Sequence, residues 1–256
     1  MAEFDRPTIA ARAGSAAVVD EGLRSYLLRV YNYMGLGLVV TGLVSYFTYA
    51  AATTADPTQA VAQLGANVYL TSLGAAIYTG PLMWLIVFAP LAFVMVLSFG
   101  INRLSTGAAQ ALFWAFATVM GLSMASIFLV FTGTSIAQTF FATAAAFLGL
   151  SLYGYTTKKD LSGFGTFLIM GVVGLLVAML INLFLQSPAM QLAISAIGVL
   201  LFAGLTAYDT QKIKSMYAYV AGTDMMGKVV IMGALNLYLD FVNMFTFLLS
   251  FMGNRE

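Results

Sequence analysis

The chain contains no cysteine and no histidine, and charged residues make up only 8% of its 256 positions. Without cysteine there are no disulfides, no thiol nucleophile and no thiolate metal site; without histidine the usual zinc ligand and the usual general base are gone. The 11 basic side chains, set against 10 acidic ones, are too few and too balanced for a nucleic-acid footprint, so no nucleic acid is expected as a partner. No Gly-rich phosphate loop stands in a strand-to-helix context. The first two dozen residues carry charges of both signs and no apolar h-region, so no cleaved signal peptide is expected.

What is abundant is apolar surface. Hydrophobic residues make up 61% of the chain, where a soluble domain has about a quarter of its residues charged. The expected class is an all-α polytopic membrane protein whose first partner is the lipid bilayer. Charge-free runs cover Val30 to Ala55, Pro57 to Asn102, Leu104 to Thr157 and Leu161 to Tyr208. A helix needs about 20 apolar residues to cross the hydrocarbon, so each of the last two runs holds two passes. Their breaks fall at FTGTS (131–135) and QSPAMQ (186–191). The first half of the second run is too polar and Gly-rich for a span and reads as an external loop, 51–81.

Seven spans follow: Val30 to Ala52, Leu82 to Gly100, Ala108 to Phe131, Ile136 to Tyr155, Phe164 to Leu185, Gln191 to Tyr208 with a helical extension, and Val229 to Phe251. Residues 1–26 read as a cytoplasmic tail with an amphipathic helix, and 27–256 as one transmembrane domain. With the N-terminus inside, ten of the 11 Lys and Arg are cytoplasmic and only Arg255 is external, the asymmetry that orients inner-membrane proteins. If the last segment dips and returns instead of crossing, Arg255 is inside as well.

One carboxylate stands out. Asp240 is the only acidic or basic residue between Val229 and Gly253, about 18 Å into its helix and close to mid-membrane. An ion there costs several kcal/mol unless it faces a bundle interior or a water-filled cavity, which makes it a functional candidate. Gly233, Asn236, Asp240, Asn243 and Ser250 recur at spacings that place them on one helix face. The second carboxylate, Asp209, lies in LTAYDTQKIK one turn after Thr206 and one turn before Lys212. Antiparallel packing of the last two spans brings Asp209 and Asp240 to one level, provided Lys212 and Lys214 snorkel outward. Thr206, Asn236 and Asn243 are then the polar side chains lining a path, and Arg103, at the inner end of the second span, is the counter-charge.

Plainer readings stand beside these. Asp209 with Lys212 makes an ordinary interfacial ion pair, Arg103 an orientation anchor, and the two asparagines interhelical bridges. If the aspartates do meet, two carboxylates in low dielectric cannot both ionise freely and tend to share one proton. Their oxygens also suit calcium, a hard cation, so Asp209 and Asp240 are the candidate metal ligands.

The stretches VDEGLRSYLLRVYNYMGLGL, INRLSTGAAQALFWAFATVMGLS, LSLYGYTTKKDLSGFG, LTAYDTQKIK and ALNLYLDFVNMFTFLLSFMGNR resemble the Bax inhibitor-1 family, also called the transmembrane Bax inhibitor motif family, and its bacterial members in particular. The resemblance implies six helices around a central C-terminal one and a pH-sensitive calcium leak through a bacterial inner membrane. It places Asp209 and Asp240 on a proton-sharing dyad and Arg103 on an arginine that latches to it. Calcium and protons are then the ligands, calcium as the permeant ion and not as a resident cofactor. Other bacterial members restrain a membrane-anchored, ATP-dependent protease, which leaves a transport-free regulatory partner as the alternative; its determinant would be the N-terminal tail.

An enzyme is not expected. Two aspartates on consecutive spans resemble the pair of intramembrane aspartyl proteases, but those carry Gly-x-Gly-Asp where this chain has Leu237, Tyr238, Leu239 and Asp240. No lysine lies inside the last helix to form a retinal Schiff base.

Overall fold

The computed structural model describes the backbone of residues 6–64 and 68–254, with side chains from residue 21 onward. Eight α-helices account for most of it: α1 (Arg6–Ala52), α2 (Ser72–Tyr78), α3 (Leu82–Gly100), α4 (Thr106–Met124), α5 (Gly133–Thr156), α6 (Ser162–Leu185), α7 (Pro188–Val220) and α8 (Met226–Met252). All but α2 are long and apolar enough to cross a membrane, α4 being extended by a 3-10 turn, Ala125–Leu129. The expected all-α polytopic architecture with seven spans is the one found.

The breaks read from the sequence are helix caps. Thr132 accepts a hydrogen bond from Ser135 N at 3.3 Å to start α5, and Ser187 accepts one from Met190 N at 3.3 Å to start α7, with Pro188 in the first turn. Such hydroxyl caps satisfy amides that have no intrahelical acceptor. Gln186 ends α6 in the left-handed conformation at φ 49°, so the chain reverses there without a glycine.

Two segments differ from expectation. Helix α1 runs unbroken from Arg6 through the expected tail boundary at residue 26, because neither proline nor a glycine pair interrupts it after Pro7. Two of its described side chains before the span pack inward, Tyr26 and Leu27: Tyr26 is fully buried 5.4 Å from the ring of Tyr217 on α7. The rest of the tail's amphipathic face, and Arg255, lie outside the described side chains. The segment read as an external loop is a small cap. Its three strands, β1 (Thr53–Thr54), β2 (Ala62–Leu64) and β3 (Val68–Leu70), form an antiparallel sheet in the order β1-β3-β2, and α2 follows. Thr71 N donates to Ala52 O at 3.0 Å and ties this cap to the end of α1. Strands of two or three residues are too short for an alternation to be read from sequence.

Helix α8 is the centre of the bundle. Of its most apolar window 72% is buried, against 11–39% for the other six spans. Helices α1, α4, α5 and α7 pack directly on it, while α3 joins through α4 and α6 through α7. The outward faces of the surrounding spans carry exposed Leu, Phe, Met and Val, as lipid-facing surfaces do. One close approach matters for the site: a Cβ on Gly154 of α5 would collide with the Ala207 carbonyl of α7, so only glycine lets these two backbones touch.

Candidate functional site

Helices α7 and α8 form an antiparallel hairpin, and its register sets the site. Ile213 packs over Gly233 and Phe202 stacks on Phe247 with ring centroids 5.9 Å apart. These two pairs bracket Asp209 and Asp240 on either side, so the aspartates occupy one level. Each carboxylate feels its neighbour: Asp209 acts electrostatically on Asp240, and Lys212 on Asp209. Helix α7 continues 11 residues past Asp209 to Val220, about 17 Å, while Lys212 is exposed and Lys214 turns aside. Lys214 Nζ donates to Tyr155 O at 2.7 Å and sits 4.5 Å over the Tyr155 ring. That is the outward reach that a deep Asp209 requires.

Asp240 lies 14 residues into the 27-residue α8 and is 4% exposed. Its Oδ2 is buried without a hydrogen-bond partner. Buried polar atoms are nearly always paired, so this unpartnered carboxylate oxygen is an exception to that rule. Asp209, half-buried, makes no side-chain hydrogen bond among the described residues.

The polar stripe of α8 connects two cavities. At the lysine-bearing face a cavity of about 320 Å³ runs past Lys212 and Lys228 to Gly233 and Asn236. It ends one turn of α8, about 6 Å, short of Asp240. At the opposite face a cavity of about 500 Å³ is lined by Asn182, Gln186, Ser187, Gln191 and Ser250. Between them come Asp240, Asn243 and then Phe247, whose ring, stacked on Phe202 and pressed against Gly198, stands on the same face and closes the stripe.

The other expected residues are placed as follows. Asn236 lines the first cavity. Asn243 Nδ2 donates to Leu239 O at 2.8 Å, and Thr206 Oγ1 donates to Phe202 O at 2.8 Å, each within its own helix. Arg103 follows α3 in an exposed turn, its N–H bonded to Gly100 O at 2.8 Å. Its chain neighbours Ile101 and Asn102 line the mouth of the first cavity, and among the described residues its guanidinium contacts neither aspartate.

Sequence reasoning missed a polar relay beside the dyad. Tyr31 of α1 and Ser151 of α5 both lie 3.4 Å from the hydroxyl of Thr210, the residue after Asp209. The signal was there: Ser135, Thr139, Thr143, Phe147, Ser151 and Gly154 recur on one buried face of α5. A second pair was also missed. Thr41 Oγ1 donates to Ala117 O at 2.8 Å and receives the Tyr238 hydroxyl at 2.6 Å, pinning α1, α4 and α8 together.

Comparison with known proteins agrees with this architecture. A family model described as "Inhibitor of apoptosis-promoting Bax1" matches residues 23–256. An uncharacterized protein of Caulobacter vibrioides is 47% identical over 93% of this chain and 92% of its own. A Rickettsia prowazekii protein is 45% identical, again over 93% and 92%. The inner membrane protein YbhL of Escherichia coli is 42% identical over 96% of this chain and 98% of its own length.

Proposed function

The chain belongs to the Bax inhibitor-1 family, and on that premise we propose that it is a pH-sensitive cation leak, chiefly for calcium, in a bacterial inner membrane. The carrying observation is the orphaned Oδ2 of Asp240, set opposite Asp209 midway along a polar stripe with a cavity at each end. With the N-terminus cytoplasmic, as the basic residues favour, the first cavity opens to the cytoplasm and Phe247 closes the far side. A proton and a cation compete for the dyad: a shared proton leaves the pair with a single negative charge, and its loss leaves two carboxylates facing an ion path. Two carboxylates at one level bind a hydrated calcium ion weakly, and weak binding lets the ion leave again. Arg103, at the mouth of the cytoplasmic cavity, supplies the positive charge that a movement of α3 would carry toward or away from the dyad. No resident cofactor and no covalent chemistry enter this reading.

The test is calcium entry into proteoliposomes between pH 6 and 8. Wild type should show a flux that varies with pH, and Asp240→Asn should lose that variation. A variant that keeps the wild-type profile would remove the dyad from the mechanism. The transport-free alternative, a regulatory partner of a membrane protease, rests on the N-terminal tail, whose first 20 side chains lie outside the described residues. Absence of flux above empty liposomes at every pH would favour it.

A further inference from the structure

A third polar cavity, on the other side of Lys212 from the first, lies at the lysine-bearing end of the seam between α6 and α7. It has a volume of about 300 Å³ and is walled by Lys158, Lys159 and Asp160 from the α5–α6 loop, Ser162 from α6, and Lys212 with Tyr208 and Gln211 from α7. Three lysines and one carboxylate line it, and that carboxylate is engaged: Asp160 Oδ1 accepts Ser162 N at 2.9 Å.

The loop is held in place by one side chain. Gln211 accepts Leu161 N at 2.9 Å and donates to Lys159 O at 2.8 Å, so the two loop lysines are carried on a fixed backbone. Helix α6 starts at this wall without a side-chain cap on Leu161, and its first helical hydrogen bond is Gly165 N to Leu161 O. The amides of Gly163 and Phe164 therefore lack intrahelical acceptors, and the helix dipole adds to the positive field of the lysines.

The cavity sits at the level where a span begins, and apolar surface continues from it. Phe164 closes on Gly204 at the α6–α7 seam, and its ring stacks on that of Phe167, 6.3 Å away. These rings are 48% and 60% exposed on the lipid-facing side. A phosphate held among amines and amides, with hydrocarbon running down an aromatic face below it, is the shape of one kind of ligand.

We propose that this cavity binds the phosphate ester of an anionic phospholipid from the adjoining leaflet, with its acyl chains laid along Phe164 and Phe167. Basic pockets between membrane helices hold such headgroups by charge, and the lipid is already concentrated at that surface. Lys212 is shared with the field at Asp209, so the test leaves it intact.

The experiment is native mass spectrometry of the full chain in nonionic detergent, titrated in separate arms with dioleoyl phosphatidylglycerol, dioleoyl phosphatidylcholine and inorganic phosphate. One phosphatidylglycerol should be retained in preference to phosphatidylcholine. Lys158→Gln with Lys159→Gln should weaken that binding about tenfold or more, and Lys158→Arg with Lys159→Arg should keep it. Removing two charges elsewhere, Arg24→Gln with Arg29→Gln, should leave it unchanged. Equal retention of the two lipids would overturn the proposal, as would equal loss in the α1 variant. Inorganic phosphate binding as tightly as phosphatidylglycerol would also overturn it, by making this a free-anion site.

Discussion

Asp240→Leu should stabilise the fold while abolishing the proposed leak. Leucine has nearly the shape of aspartate, with two terminal atoms branching from Cγ, so the substitution changes polarity far more than packing. In the wild type Oδ2 is buried and unpartnered, and a buried polar atom left unsatisfied costs about 1–3 kcal/mol. Leucine removes that cost and relieves Asp209 of a like charge. For a chain of this size each kcal/mol moves the midpoint by about 2–4 °C, so Tm should rise by about 2–12 °C. Asp240→Asn provides the control: its amide is polar too, so it should gain little. Thermal unfolding in detergent, followed by the fluorescence of Trp84 and Trp114, measures both variants. Most core substitutions lower stability by about 1 kcal/mol, so a rise would be specific to an atom kept against stability. A fall in the Tm of Asp240→Leu would mean that the carboxylate is engaged by a partner in the membrane, and the argument from its isolation would be refuted.

Three further expectations follow from the geometry. Phe247→Ala opens the barrier between Asn243 and Ser250 and should raise calcium flux in proteoliposomes, at a stability cost of about 3 kcal/mol; unchanged flux would place the closure elsewhere. Gly154→Ala drives a methyl group into the Ala207 carbonyl and should destabilise by about 1–3 kcal/mol, read as a lowered Tm and as loss of flux through displacement of α7. In the small β cap, the side-chain hydroxyl and backbone amide of Thr58, with help from Gln59, hold the Asp56 carboxyl below its usual range. A depressed folded value contributes stability that is present above the ordinary carboxylate pKa, about 3.9, and is lost as pH falls through the lower folded value. The protection factors of amides over residues 53–64, taken relative to intrinsic exchange rates, should therefore fall below about pH 4 in wild type and show no such step in Asp56→Asn.

The spans and the dyad were legible because both rest on strong, local signals. A run of 20 uncharged residues has few soluble alternatives, and a lone carboxylate within one cannot be hidden by context. The alternation of Gly233, Asn236, Asp240, Asn243 and Ser250 was visible because α8 is otherwise Leu, Phe, Met and Val. The same periodicity on α5 went unread because Ser, Thr and Gly there alternate with Ala, and small residues serve packing as readily as polarity. Phe247 escaped for the opposite reason: the same spacing puts it on the polar face, but a phenylalanine among phenylalanines has no composition signal, and only its packing against Phe202 and Gly198 shows the closure. Arg103 shows what spacing cannot supply. Its place at the end of α3 follows from the count of apolar residues, but its distance from Asp209 and Asp240 depends on how α3 leans on α4. Helix α3 packs chiefly on α4 and has the least buried window of the seven spans, at 11%. A helix held by so little packing is the one that can move at least cost. If a charge is to approach or leave the dyad during gating, the geometry assigns that motion to α3 and leaves α7 and α8, locked by Ile213 on Gly233 and Phe202 on Phe247, as the fixed frame against which it is felt.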